Sequence, residues 1–230
     1  MEATVRLDKF LVECGIGSRK EVKDLVGKGQ ITINGKIAKS SQEKLNLEKD
    51  EVIYDNRKLE YKEFRYYILY KIDGYITATE DFREPTVMEL LPEWVIQKDL
   101  FPVGRLDKDT EGLLLFTNDG KLAHELTSPK KHVDKIYYVK LDSPITEEQI
   151  KMLEEGVDIG GYITKPAVVE KISDLEINLT IKEGKFHQVK KMMVAVGNQL
   201  NYLKRVKFGN LVLGDMEPRE VREIDKKDII

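Results

Sequence analysis

Apolar and polar positions alternate along this chain in two different periods. Leu7, Phe10 and Leu11 recur at i, i+3 and i+4, which predicts a helix that Gly15 ends. A second helix starts at Ser18, whose hydroxyl can cap the first amides while Glu21 reaches back. Its Val22, Leu25 and Val26 face a core, and Arg19, Lys20 and Lys23 stay outside. The alternating run Ile31-Thr32-Ile33-Asn34-Gly35-Lys36-Ile37 predicts a hairpin closed by a type I′ turn. The polar stretch Asp55-Asn56-Arg57-Lys58 reads as a turn or linker that bounds this first unit, residues 1–58, from a second over 62–230.

In the second unit strands are predicted at Arg65 to Lys71, Leu113 to Thr117, Lys135 to Leu141 and Leu175 to Ile181. Helices are predicted at Thr86 to Leu91, Lys121 to Thr127, Glu147 to Glu155 and Gln188 to Val196. Thr146 with Gln149 forms another capping box, and Gly156 and Gly197 are helix stops. Strands that mostly hairpin together among a few helices make this an α+β chain.

With 230 residues, 41% of them hydrophobic and 34% charged, the chain can bury a sizeable core. No apolar run approaches the roughly 20 residues of a membrane span, and the first residues lack a signal-peptide stretch, so the cytoplasm is the default compartment and no membrane partner is expected. The single Cys14 excludes an intramolecular disulfide and falls in an apolar helical pattern, which predicts a buried core position. His124 and His132 lack Cys or acidic partners at ligand spacing, so zinc is not expected. A net charge of −3 argues against a uniform nucleic-acid surface, yet residues 182–207 hold seven Lys and Arg against the single acid Glu183. A local basic face of this kind is compatible with RNA.

The chemistry concentrates in Gly104-Arg105-Leu106-Asp107-Lys108-Asp109-Thr110-Glu111-Gly112, a charged turn that runs into the apolar strand Leu113 to Thr117. Asp107 has Arg105 and Lys108 as near neighbours and two glycines bracket the turn, so a carboxylate can be held ionised and aimed by a tight backbone. By charge spacing alone, the favoured reading is that Asp107 and Asp109 are solvated loop acids and Arg105 is an ordinary surface cation.

The full string G-R-L-D-x-D-T-x-G-L-L-L-x-T-x-D-G resembles the catalytic motif of the RsuA/RluB/RluE/RluF family of rRNA pseudouridine synthases. The resemblance implies that Asp107 is the nucleophile. Two further segments are similar to family signatures. Lys182-Glu183-Gly184-Lys185-Phe186-His187-Gln188-Val189-Lys190-Lys191-Met192 implies that Lys190 is the basic partner of Asp107. Lys191 is the fallback, since adjacent helical residues point about 100° apart. Lys135-Ile136-Tyr137-Tyr138-Val139 implies that Tyr137 stacks on a flipped uracil and can relay the proton lost from its carbon 5. Tyr137 and Tyr138 point to opposite faces of a strand, so only one enters a cleft. Arg105 is a candidate wedge or phosphate clamp at the mouth.

R-L-D-K-F-L, S-R-K-E-V and G-x-I-T-I-N-G-K in the first unit resemble the S4 RNA-binding domain. Arg6, Lys9, Arg19, Lys20 and Lys23 are candidate phosphate contacts there, and Lys130, Lys131, Lys185, His187, Gln188 and Lys191 are candidates in the second unit. Each could equally be a solvated charge. The implied fold is a small S4-like α/β domain plus a synthase domain with a mixed, largely antiparallel sheet and a central catalytic cleft. The implied reaction needs no redox, metal or nucleotide cofactor.

His187-Gln188-Val189-Lys190-Lys191, with Thr127-Ser128-Pro129 and Lys165-Pro166-Ala167-Val168, is most similar to the RsuA type. That type implies a uridine of 16S rRNA in a partly assembled small subunit, and a monomeric enzyme. The alternatives are a 23S rRNA enzyme of the RluB/E/F type, or a noncatalytic S4-domain ribosome-assembly protein. Two segments depart from the family pattern: Lys71-Ile72-Asp73-Gly74 lacks the proline of K-P-x-G, and Met216 to Arg222 lacks the glycine usual before the final Arg. Both bear on loop geometry.

Overall fold

Residues 4–95, 98–128, 131 and 133–230 are described by a computed structural model. The chain divides into two units, one running up to Phe64 and including Glu93–Leu100, the other formed by Arg65–Pro92 and Phe101–Ile230. Among the described residues no helix is long and apolar enough to cross a membrane.

The first unit contains β1 (Thr4–Arg6), α1 (Leu7–Glu13), α2 (Arg19–Gly27), β2 (Ile31–Ile33), β3 (Lys36–Ile37), β4 (Lys44–Asn46), β5 (Val52–Tyr54) and β6 (Arg57–Lys58). Strands β1 and β4 pair antiparallel, and a four-stranded sheet runs β3-β2-β5-β6. The capping box at Ser18 forms, with the Ser18 amide donating to Glu21 Oε2 at 2.7 Å. Asn34 and Gly35 both take positive φ, at 50° and 75°, as a type I′ turn requires. Asp55 and Asn56 also take positive φ and form the turn of the β5–β6 hairpin. Leu7, Phe10, Leu11, Val22 and Val26 from the helices meet Ile31, Leu45 and Val52 from the strands in one core. Cys14 is half-buried at the margin of this core rather than within it, and its Sγ donates to the Glu60 carbonyl at 3.3 Å.

The second unit contains β7 (Tyr66–Lys71), a 3-10 turn at Val87–Leu90, β8 (Phe101–Val103), β9 (Glu111–Thr117), α3 (Gly120–Thr127), β10 (Lys135–Leu141), α4 (Glu147–Glu155), β11 (Val168–Ser173), β12 (Glu176–Ile181), α5 (Gln188–Ala195), β13 (Leu200–Phe208), β14 (Leu211–Val212), β15 (Val221–Glu223) and α6 (Lys226–Ile229). One nine-stranded sheet runs β11-β12-β10-β13-β9-β7-β15, with β14 added to β13 and β8 to β9. All its pairings are antiparallel except β13 with β9 at the centre. Strand β7 is buried along its whole length. Tyr66, Ile68 and Tyr70 pack with Leu113, Leu115, Leu122, Ala123 and Leu126 in one cluster that also takes in Phe208, Leu211 and Ile229. Asp119 caps α3 by accepting from the Leu122 amide at 3.0 Å, and it also accepts from Tyr66 Oη and Lys226 Nζ. Burial pushes the Asp119 carboxyl up, but these three donors outweigh it and leave the group below its ordinary range.

Strands β1, β4, β5, β6, β8, β11, β14 and β15 and helix α6 form beyond the sequence expectation, β6 from the Arg57-Lys58 end of the expected turn or linker, and two further elements differ from it more sharply. Within the predicted helix Thr86 to Leu91, Val87–Leu90 form a 3-10 turn capped by Thr86 instead of an α-helix, because Pro92 disfavours helical backbone at Leu91. The nine-residue β13, the longest strand, was not expected. Its buried positions are Leu203, Arg205 and Phe208, broken in spacing by a bulge, and a charged residue inside breaks the apolar signature of a strand.

The parallel junction places Arg205 opposite Gly112. Gly112 has φ +102°, and a Cβ there would lie 2.2 Å from the Arg205 carbonyl oxygen. Only glycine fits this close approach. Gly112→Ala is expected to destabilise the protein by about 3 kcal/mol or more in denaturant unfolding. A loss under about 1 kcal/mol would show that the two sheet halves are not held at this distance.

Candidate active site

The loop of residues 104–110 joins β8 to β9, and the interior fixes its backbone before any side chain is considered. Lys71, at the end of β7, is completely buried. Its ammonium donates to the carbonyls of Thr110 at 2.7 Å and of Ile72, Asp107 and Lys108 at 3.1 Å. The Gly74 amide donates to the Lys108 carbonyl at 2.9 Å. Thr77 Oγ1 donates to the Leu106 carbonyl at 2.7 Å and accepts from the Leu106 amide at 3.0 Å. The loop's carbonyls are thereby satisfied from one side, as buried backbone groups require, and the turn forms without the proline at position 72.

The Asp107 side chain emerges on the other side, 28% exposed, into a cleft of about 370 Å³. Lys190, in the first turn of α5, places Nζ 3.2 Å from Asp107 Oδ2 and 2.6 Å from Asp109 Oδ1. Burial lowers the Lys190 ammonium, but the hydrogen bond to Asp109 and the charge of Asp107 outweigh it, so the group is held above its usual value. Burial likewise raises Asp109, and the hydrogen bond and charge of Lys190 reverse the sign. Lys190 is therefore a protonated cation shared by two carboxylates.

The segment before α5 is stiffened by buried Glu183. It accepts from Tyr162 Oη at 2.6 Å, from the Lys165 amide at 2.9 Å and from Gln188 Nε2 at 2.9 Å. His187 adopts the left-handed conformation at φ 52° as the N-cap of α5 and stacks on Phe186 with ring centroids 3.8 Å apart. Its Nε2 lies 3.7 Å from Asp107 Oδ1. Across the cleft Tyr137 on β10 is buried among the lining residues. Tyr138 turns to the other face and donates to Glu176, and burial with that hydrogen bond pushes its phenol up to about 12.

Asp107, Tyr137, Lys190 and Arg105 thus line one cleft, with Arg105 exposed at its mouth. Among the RNA-contact candidates, Lys185 and His187 line the same cleft, with Lys185 Nζ 4.1 Å above the Tyr162 ring. Lys191 is exposed, 5.3 Å from the Phe186 ring, and does not reach Asp107. Gln188 requires correction as an RNA contact: it is buried, and its amide is spent on Glu183, on Met192 Sδ and on the Lys185 amide. Lys108 flanks Asp107 in sequence but pairs with Glu84 instead. Lys131 is exposed, whereas Lys130 and His132 lie outside the described residues. In the first unit Lys9, Arg19, Lys20 and Lys23 are exposed, and Arg6 pairs with Asp8 at 2.6 Å. Among the described residues no group of three or more His, Cys, Asp or Glu is placed to hold a metal ion.

The sequence reading missed Lys71, Lys135 and Arg205 as site residues. Lys71 ends a predicted strand, and nothing in its local sequence marks it as buried. Lys135 and Arg205 both line the cleft. Burial with the nearby charge of Arg205 lowers the Lys135 ammonium to about 8.

A carboxylate beside a half-buried cation, faced by an aromatic wall, is suited to cleaving and remaking a bond to a flat base. The chain belongs to the RNA pseudouridylate synthase family, whose pattern it matches over residues 65–195, and residues 5–52 match the S4 domain. It is an RNA pseudouridine synthase. Over 98% of its length it is 49% identical to an uncharacterised RNA pseudouridine synthase of Bacillus subtilis, covering 97% of that protein. It is 39% identical to ribosomal small subunit pseudouridine synthase A of Escherichia coli strain K12, with 98% of each chain covered. A crystal structure of a pseudouridylate synthase, 36% identical, matches 98% of both chains with a TM-score of 0.68.

Burial lowers the Lys71 ammonium from 10.5 to about 8, against the pull of Asp109, Asp73, Glu111 and Asp107. The unfolded chain therefore holds this proton more tightly than the native state does. Native stability is penalised below about pH 8 and recovers as pH rises from 8 toward 10.5. Relative to Lys71→Met, the unfolding free energy of the wild type should climb by about 3 kcal/mol across this window. Parallel stability curves for the two proteins would contradict the assignment.

Proposed function

We propose that Asp107 is the catalytic carboxylate and that the substrate is a specific uridine of 16S rRNA. One observation carries the first part: Lys190 Nζ stands 3.2 Å from Asp107 Oδ2 inside the cleft that Tyr137 lines. In this reading the target nucleotide leaves its stack and enters the cleft base first, with Tyr137 as the stacking platform, which offsets part of the few kcal/mol of unstacking. The Asp107 carboxylate either attacks the sugar C1′ or assists loss of the C2′ proton, and the N-glycosidic bond breaks. The base turns and carbon 5 joins C1′. The proton then lost from carbon 5 passes to the Tyr137 hydroxyl as relay. The near-full-length likeness to a small-subunit synthase supports 16S rRNA, and the proposal takes the substrate to be a partly assembled particle.

Tritium release from 5-tritiated uridine in separate 16S and 23S rRNA, free and in partly assembled subunits, tests both parts. Wild type is expected to release tritium from 16S alone. Asp107→Asn is expected to release none while RNA affinity stays within about tenfold, or ~1.4 kcal/mol. Release from 23S alone would move the substrate to the large subunit. Full activity of Asp107→Asn would remove Asp107 from its role, and tight binding without release from any RNA by wild type would favour a noncatalytic assembly factor.

The first unit is proposed to hold rRNA through Arg6, Lys9, Arg19, Lys20 and Lys23. Arg19→Ala/Lys20→Ala/Lys23→Ala should flatten the slope of log affinity against log salt by about 2, since each lost phosphate contact removes roughly 0.7 to 0.9. An unchanged slope would place the phosphate contacts elsewhere.

A further inference from the structure

Arg205 is a built part of the cleft that the proposed reaction does not use. It is 2% exposed, lies opposite Tyr137 of β10 in the strand register, and lines the cleft. Its Nε donates to the Leu113 carbonyl at 2.9 Å, and its Cζ sits 4.9 Å from the centre of the Phe208 ring. These two contacts fix the plane of the guanidinium. Its Nη2 is buried and has no hydrogen-bond partner among the described residues.

A buried donor left unmade is costly, the more so on a charged group, and buried Arg is ordinarily paired. Lys135 Nζ lies 5.6 Å from the same Phe208 ring, so a second cation lies close by. The two repel, as the lowered Lys135 ammonium records. Such an arrangement is complementary to an oxygen acceptor that arrives with the substrate.

The depth of the position decides which oxygen. A nucleotide that enters base first leaves its phosphates at the mouth, where Arg105, Lys182 and Lys185 are exposed. The group that reaches a fully buried guanidinium beside Tyr137 is the base itself. We propose that Arg205 is a base-recognition residue whose Nη2 donates to an exocyclic carbonyl oxygen, O2 or O4, of the target uracil. This rests on the reading of the cleft as the seat of a flipped uridine. When the C1′–N1 bond breaks, its electron pair stays with the uracil ring and spreads over O2 and O4. A cationic donor binds the charged oxygen more strongly than the neutral one, so the contact strengthens as the bond breaks and accelerates the step. Cytosine carries an amino group at carbon 4, which cannot accept, so a contact at O4 would also exclude it.

The test uses full-length protein and an RNA on which wild type forms pseudouridine, with the target uridine replaced in turn by 2-thiouridine and 4-thiouridine. Sulfur is the weaker acceptor. Product is measured in single turnover by nuclease digestion and chromatography, for wild type, Arg205→Met and Arg205→Lys, alongside thermal unfolding and RNA affinity. Wild type should slow about tenfold or more on one of the two thio substrates. Arg205→Met should be about a hundredfold slower than wild type on ordinary uridine at unchanged RNA affinity, and should process that thio substrate within about twofold of ordinary uridine. Arg205→Lys, which keeps the charge if the methionine variant does not fold, should recover part of the rate and part of the thio penalty. A folded variant with wild-type thio penalties at both positions, or with wild-type turnover, would overturn the proposal. Absence of product from wild type on every RNA would overturn the functional reading itself.

Discussion

The site depends on one ammonium. Lys190 Nζ joins the loop that carries Asp107 and Asp109 to the start of α5, and the geometry of the cleft is set where those two segments meet. Two carboxylates this close would repel one another, and their shared cation offsets that repulsion. Its hold on Asp109 is the shorter of the two, which leaves the Asp107 carboxylate in contact with the cation and still open to the cleft. Lys71 acts on the same loop from behind, through carbonyls instead of carboxylates. One lysine fixes the backbone and the other fixes the charge. Neither does the other's task, because Lys71 is wholly buried and Lys190 faces the substrate space.

The sheet explains why these groups converge. An antiparallel run of strands on each side meets at the short parallel pairing of β13 with β9. At that junction the chain uses Gly112 to let two backbones approach within a distance no side chain tolerates. The result places the Asp107 loop, which runs straight into β9, beside the floor made by β10 and β13. Tyr137 and Arg205 are cross-strand neighbours on that floor. The close approach at Gly112 is thus tied to the position of Asp107, five residues earlier in the chain, and of Arg205 on the neighbouring strand.

Much of this was legible from the chain. The capping boxes at Ser18 and Thr146, the Asn34-Gly35 turn and the apolar strand before Asn118 are local signals, and they formed as local rules predict. Asp107, Lys190 and Tyr137 stood out only because their surrounding strings are long and specific, since charge spacing alone left Asp107 a solvated loop acid. What escaped was charge in the interior. Lys71 and Arg205 look like surface residues until strand pairing buries them, and pairing between distant segments has no local signature. Gln188 failed in the opposite direction: a polar residue in a basic helix suggested RNA, yet its amide closes the loop ahead of α5. Lys108 shows the same limit, since a neighbour in sequence turned to Glu84 across the loop.

The most direct test of this account is the single-turnover rate of pseudouridine formation for Lys190→Met and Lys190→Arg at saturating RNA. If the shared ammonium sustains the catalytic carboxylate, Lys190→Met should lose about a hundredfold or more in rate with RNA affinity nearly unchanged, and Lys190→Arg should restore most of it. A Lys190→Met enzyme that turns over at the wild-type rate would contradict it.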